Sequence, residues 1–190
     1  DITPKMNMDG VAGINRFILH TNPHQPWDDR FKPGVTMGQW GAHFGRTQTW
    51  WEPGKAWLAY LARCQALLQW GERVPESAAS FSPVDGNAGP RSVHRREGSS
   101  HLFFIAVPAS ESGKALASFR VGKMAPELWD PVTGKMRDLT DYRVDGDVVR
   151  LELEFASGQS HFVVFRKPAT KAQPPARNFP ATREAANVSG

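Results

Sequence analysis

The sequence predicts an α+β chain made of one β/α unit followed by a small antiparallel β domain. Three observations carry this. An apolar run at Phe17-Ile18-Leu19 is followed by a helical pattern after Pro53, and beyond residue 100 the helical period gives way to short apolar runs. Residues 75–100, PESAASFSPVDGNAGPRSVHRREGSS, are rich in Ser, Gly and Pro and read as the connector between the two.

Residues 14–19 read as a buried strand, ended by the polar and aromatic stretch HTNPHQPWDD. A long Gly/Pro-rich loop then runs from about 20 to 52. Connections usually take about 4–6 residues, and long ordered loops are usually functional. Pro53 suits the first residue of a helix, and Trp57, Leu61, Cys64 and Leu68 recur at spacings of four, three and four along one face, with Gly71 placed to cap the end.

In the second half HLFFIAV (101–107), ALASFRV (115–121), APELWDP (125–131), VVRLELEF (148–155) and SHFVVFR (160–166) are strand candidates. Leu151, Leu153 and Phe155 alternate with Glu152 and Glu154, as on a sheet wet on one face. DPVTG and VDGD supply turn chemistry. The expected organisation is therefore 1–75 as the β/α part, 76–100 as connector, 101–167 as antiparallel β domain and 168–190 as a Pro- and Ala-rich linker or tail.

Composition narrows the function classes. The net charge of +4 does not mark a nucleic-acid binder: residues 1–75 carry +2, residues 76–165 carry −2, and the excess lies in 166–190. No apolar run approaches the roughly 20 residues of a membrane span. Cys64 is the single cysteine, so an intramolecular disulfide is impossible, and its place in a helical apolar pattern predicts a buried, inert thiol. The opening residues DITPKMNMDG show no signal-peptide pattern, which is the expectation for a mature or excised piece.

Six of the seven tryptophans and His20, His24 and His43 fall in the first 70 residues. His20, His24 and Asp28 are spaced by four, but Pro23 and Pro26 forbid the regular helix that would turn this spacing into a metal-binding face. Exposed indole faces beside Asn, Gln, Asp and His suit sugars instead: aromatic faces cover C–H surfaces while polar groups bond hydroxyls. Trp27, Trp40, Trp50 and Trp51 are candidates for this, each equally able to pack the loop; for Trp57 packing is the expectation. Arg46 can bind a carboxylate or lock the loop by a salt bridge. Glycoside hydrolysis generally uses two carboxylates across the scissile bond. Asp28, Asp29 and Glu52 are the only acids between residues 10 and 71, and they form no convincing pair. A strand that ends in a polar loop and continues into a helix fits one unit of a barrel or of an open α/β sheet, where ligands sit at the C-terminal strand ends.

GINRFILHTNPHQPW, PGVTMGQWGAHFGRTQTWW and KAWLAYLARCQALLQWG, in that order, resemble the end of the barrel in glycoside hydrolase family 106, typified by bacterial α-L-rhamnosidases. HRREGSSHLFFIAV and PELWDPVTGKMRDL resemble the β domain that follows it. The resemblance implies the last β/α unit of a (β/α)8 barrel followed by a β-sandwich-like domain. The implied activity is hydrolysis of terminal α-L-rhamnosides of plant or microbial glycans, with calcium at the site and a periplasmic or secreted location. It further implies that His20, His24, Gln25, Trp40 and His43 are substrate-binding or loop-framing residues, and that the catalytic carboxylates lie upstream. Where relatives carry an acid in R-x-E-T-W this sequence has Gln48, so no carboxylate role passes to it. The expected partners are a carbohydrate and the missing barrel residues, or another chain, that complete the site. The alternative expectation is a non-catalytic carbohydrate-binding or structural module.

Overall fold

The computed structural model describes residues 3–76, 78–169 and 177–179. Among the described residues two α-helices, α1 (Thr3–Val11) and α2 (Trp51–Leu68), and ten strands form three layers. The strands are β1 (Glu72–Val74), β2 (Ala79–Gly86), β3 (Arg91–Glu97), β4 (Ser100–Ala106), β5 (Gly113–Arg120), β6 (Met124–Trp129), β7 (Met136–Asp138), β8 (Arg143–Asp145), β9 (Val148–Phe155) and β10 (Ser160–Pro168). A six-stranded antiparallel sheet of order β1-β3-β4-β10-β6-β7 faces a four-stranded one of order β2-β5-β9-β8.

Burial explains how each strand reads. Strands β4 and β10 lie at the centre of the larger sheet and are covered on both faces, so they appear as unbroken apolar runs. Phe103, Ile105, Val163 and Phe165 point into the core between the sheets, against Phe119, Leu151, Leu153 and Phe155. Leu102, Phe104, Phe162 and Val164 point the other way, against Tyr60, Leu61, Cys64 and Leu68 of α2. The outer face of β9 is wet, which preserves its strict alternation.

Helix α2 thus buries its apolar stripe on the β sheet. A buried hydrogen-bonded cluster completes that junction: Tyr60 Oη donates to Asn7 Oδ1 on α1 and lies 2.9 Å from Ser160 Oγ on β10, while Asn7 Nδ2 donates to the Gly158 carbonyl at 3.0 Å. Burial pushes the Tyr60 phenol well above its ordinary range and the Cys64 thiol up to about 11, so both stay protonated and Cys64 is no nucleophile. At the C-terminal end of α2 the buried Arg95 guanidinium donates to the Trp70 and Gly71 carbonyls, with Gly71 in the left-handed region at φ +58°.

Three expectations need correction. Residues 14–19 join no strand or sheet: a strand requires a ladder partner, and the described residues provide none for this run. Ile18 is 87% exposed, and the Phe17 amide is instead satisfied by Gln65 Oε1 at 2.7 Å. Residues 76–100, read as connector, contain β2, paired along one side to β5, and β3, paired on both sides to β1 and β4. Their Ser, Gly and Pro content reflects an edge strand with a register shift at Pro83, where the missing amide is tolerated. The start of the chain, read only for the absence of a signal, forms α1. The tail expected from 168 onward lies, for 170–176 and 180–190, outside the described residues.

Candidate carbohydrate site

The loop from residue 20 to 50 is folded on itself by backbone pairing. The Thr21 amide donates to the Ala42 carbonyl (2.8 Å), Ala42 to His20 (2.9 Å) and Phe44 to Thr21 (2.9 Å). His24 and Val35 exchange both of their backbone bonds at 3.0 Å. Gly41, at φ +80°, sits so close to the His20 backbone and ring that no side chain fits there. A short 3-10 turn, Asp29–Phe31, is capped by the Asp28 side chain.

Arg46 ties the two limbs together. Its Nη1 donates to the Gln25 carbonyl at 3.0 Å and its Nη2 to the Trp27 carbonyl at 2.6 Å, while Nε stands 3.9 Å from Asp29. Of the two roles open to Arg46 in the sequence, loop locking is present, and it acts through carbonyls more than through the carboxylate. Beside this clamp a cavity of about 310 Å³ is lined by Asn22, Pro23, Gln25, Pro33, Phe44, Gly45, Arg46, Thr47 and Trp51. Its walls combine apolar rings with amide and hydroxyl groups, the composition of a polyhydroxylated-ligand site.

The five residues implied as substrate-binding are distributed unevenly around it. Gln25 lines the cavity, and its Oε1 is buried without a hydrogen-bond partner. His24 stacks edge-on against Trp27, 5.7 Å between ring centres, at the loop surface. His20 is exposed at the paired limb, and His43 is half-buried with Nε2 unpartnered. Trp40, 65% exposed, stands apart from the cavity. Asn22, Thr47 and Trp51 were not singled out as a set from the sequence. Their signal was the R-T-Q-T-W-W run, in which Arg46, Thr47 and Trp51 are spaced to return to one wall at the helix start.

The acids do not form a catalytic pair. Asp28 is held below the usual carboxylate range by its hydrogen bonds to the Arg30 side chain and backbone, Asp29 pairs with Lys32 (3.2 Å) and Glu52 with Lys55. A carboxylate held ionised in this way is a poor general acid. Among the described residues no group of three or more His, Cys, Asp or Glu could hold a metal ion, and no helix is long and apolar enough to cross a membrane.

Residues 1–90 match the family model of glycoside hydrolase family 106, described as alpha-L-rhamnosidase. A 66-residue stretch is 48% identical to a protein of Formosa agariphila whose name assigns it, provisionally, as a beta-glucuronidase; the stretch is 35% of this chain and 6% of that protein. The fold is similar to that of a rhamnosidase from Novosphingobium sp. PP1Y, with TM-score 0.80 at 18% identity, over 93% of this chain and 30% of the other. The chain therefore spans under a third of the length of either relative, and the structural likeness speaks for the fold alone. Through its first 90 residues, the chain is related at the family level to glycoside hydrolase family 106.

Proposed function

We propose that the chain is a segment of a glycoside hydrolase acting on terminal α-L-rhamnosides, and that the loop between residues 20 and 51 contributes sugar-binding groups to its cleft. The observation that carries this reading is the cavity beside the Arg46 clamp, formed within the region that matches the family model. In this reading Gln25, Asn22 and Thr47 bond hydroxyls and the Trp51 ring covers a sugar face. His20, His24, His43 and Trp40 present further groups to the same cleft from the paired limbs of the loop. The acid and base are assigned to parts of the polypeptide outside this chain, a reading supported by the ion pairing of Asp28, Asp29 and Glu52, the three acids of the loop and helix start.

The unpaired run at 14–19 supports a further element of the proposal, that residues 1–75 are the last β/α unit of a (β/α)8 barrel. Ile14, Ile18 and Leu19 stay exposed, and a broad apolar trough of about 770 Å³ lies open between Ala42, Phe44, Trp50, Pro53 and Trp57. A strand with missing neighbours would leave such surfaces. Calcium at the site of the complete enzyme is part of the same proposal; among the described residues no group of three or more His, Cys, Asp or Glu is placed to hold it. A periplasmic or secreted location remains part of the same proposal.

The test is turnover of an aryl α-L-rhamnoside. The 190-residue chain is expected to be inactive, and a longer natural polypeptide containing it active. Turnover by the short chain overturns the assignment of the acid and base to other segments. Binding of rhamnose by the longer polypeptide without any turnover favours a non-catalytic carbohydrate-binding module.

A further inference from the structure

We infer that the cavity beside the Arg46 clamp takes a carboxylated sugar, so that one unit of the bound glycan is a uronate; this rests on the reading of the cavity as a sugar site. The argument is a charge balance over the loop. Asp28 is committed to Arg30 at 2.7 Å, Asp29 to Lys32 at 3.2 Å and Glu52 to Lys55 at 2.5 Å. Each acid of the loop and helix start therefore has a nearer cation than Arg46, whose Nε meets only Asp29, at 3.9 Å, a carboxylate that Lys32 already holds.

Arg46 is also the only charged residue among those lining the cavity; the others are Asn22, Pro23, Gln25, Pro33, Phe44, Gly45, Thr47 and Trp51. A guanidinium carries five N–H groups. Two are spent on the Gln25 and Trp27 carbonyls, which fix its plane without neutralising it, and three remain. A half-exposed planar cation tied by two carbonyls at the wall of a cavity, with apolar rings and neutral hydrogen-bonding groups around it, matches a carboxylate on a sugar ring. Charge-assisted and directional bonding to a carboxylate is what distinguishes such a site from one for neutral sugars. No carboxylate lines this cavity to repel the ligand.

The experiment compares three ligands by titration calorimetry at low salt on the longer natural polypeptide that contains this chain, without substitutions: D-glucuronate, D-glucuronamide and D-glucose. The amide keeps the size and ring of the acid and removes only the charge, so the comparison does not depend on any variant folding. Glucuronate is expected to bind about tenfold more tightly than glucuronamide, with the difference shrinking as salt is raised. Arg46→Gln should erase the difference, and Asp29→Asn, which removes the competing charge, should enlarge it. Equal affinity for acid and amide overturns the inference and leaves the sugar cavity standing. Absence of binding by all three ligands overturns the cavity reading itself, and the inference with it.

Discussion

Replacing Tyr60 by Phe deletes one oxygen atom from the junction of α1, α2 and β10, and the structure gives the size of the effect. The hydroxyl satisfies Asn7 Oδ1 and pairs with Ser160 Oγ, and all three residues are buried. Loss of a typical hydrogen bond costs about 1 kcal/mol, and a buried acceptor left without a partner about 1–3 kcal/mol more. Asn7 keeps its bond to the Gly158 carbonyl, so its side chain cannot turn away to find another donor. Tyr60→Phe should therefore destabilise the chain by about 2–4 kcal/mol, lowering Tm by roughly 5–15 °C for a protein of this size. Urea unfolding followed by far-UV circular dichroism and by tryptophan fluorescence measures this. The two probes should move together, because dichroism reports mainly the sandwich and fluorescence mainly the tryptophans of the first 70 residues. A loss below about 0.5 kcal/mol, the scatter of ordinary surface substitutions, would refute the claim that this cluster joins helices and sheets into one cooperative unit.

Three further outcomes follow from the same coordinates. Gly10→Ala should destabilise although it removes a helix glycine, because an added Cβ would lie 2.8 Å from the tightly packed Phe104 ring; a Tm equal to or above that of the unmodified chain contradicts the packing of α1. At Glu127 burial opposes ionisation, yet the Arg166 and Lys167 side chains and the Trp129 indole hold the carboxyl down to about 2. The unfolded chain then binds more protons than the folded one between about pH 4.5 and 2, so stability falls through that window, and Glu127→Gln should flatten the fall in acid titrations of unfolding. Burial, with His101 and Arg96 nearby, lowers His94 to about 4 from 6.5, so its contribution is intact above pH 6.5 and lost as pH falls toward 4; His94→Phe should remove that slope, and an unchanged slope contradicts it.

How much of this was legible in the sequence differs from element to element for physical reasons. Helix α2 and five of the seven described strands with six or more residues were visible because burial left a period or an unbroken apolar run: Leu61, Cys64 and Leu68 at helical spacing, Leu151, Leu153 and Phe155 at spacing two. Strand β2 was hidden because it is an edge strand with mostly exposed residues, so nothing forces its sequence to alternate, and Pro83 and Gly86 make it look like a loop. Strands β1, β7 and β8 have three residues each, too few for any period to show. The run at 14–19 is the opposite case, since it has a strand's composition and no ladder to join. Within the loop, the sequence singled out the region in which the cavity beside Arg46 lies. It did not reveal that Arg46 would span to carbonyls 19 and 21 residues away, because such a bond depends on the paired limbs that bring residues 20–21 beside 42–44. That geometry gathers Asn22, Gln25, Thr47 and Trp51 on one cavity and leaves Trp40 outside it.

The most direct test of the account is turnover of an aryl α-L-rhamnoside by a longer natural polypeptide carrying Gln25→Ala or Trp51→Ala, with Tm measured alongside. If the loop lines the sugar cleft, each replacement lowers kcat/KM by about tenfold or more, as loss of about 1.4 kcal/mol of binding requires, while Tm stays within about 2 °C. Unchanged turnover in both variants would show that the cavity beside Arg46 is not where the sugar binds.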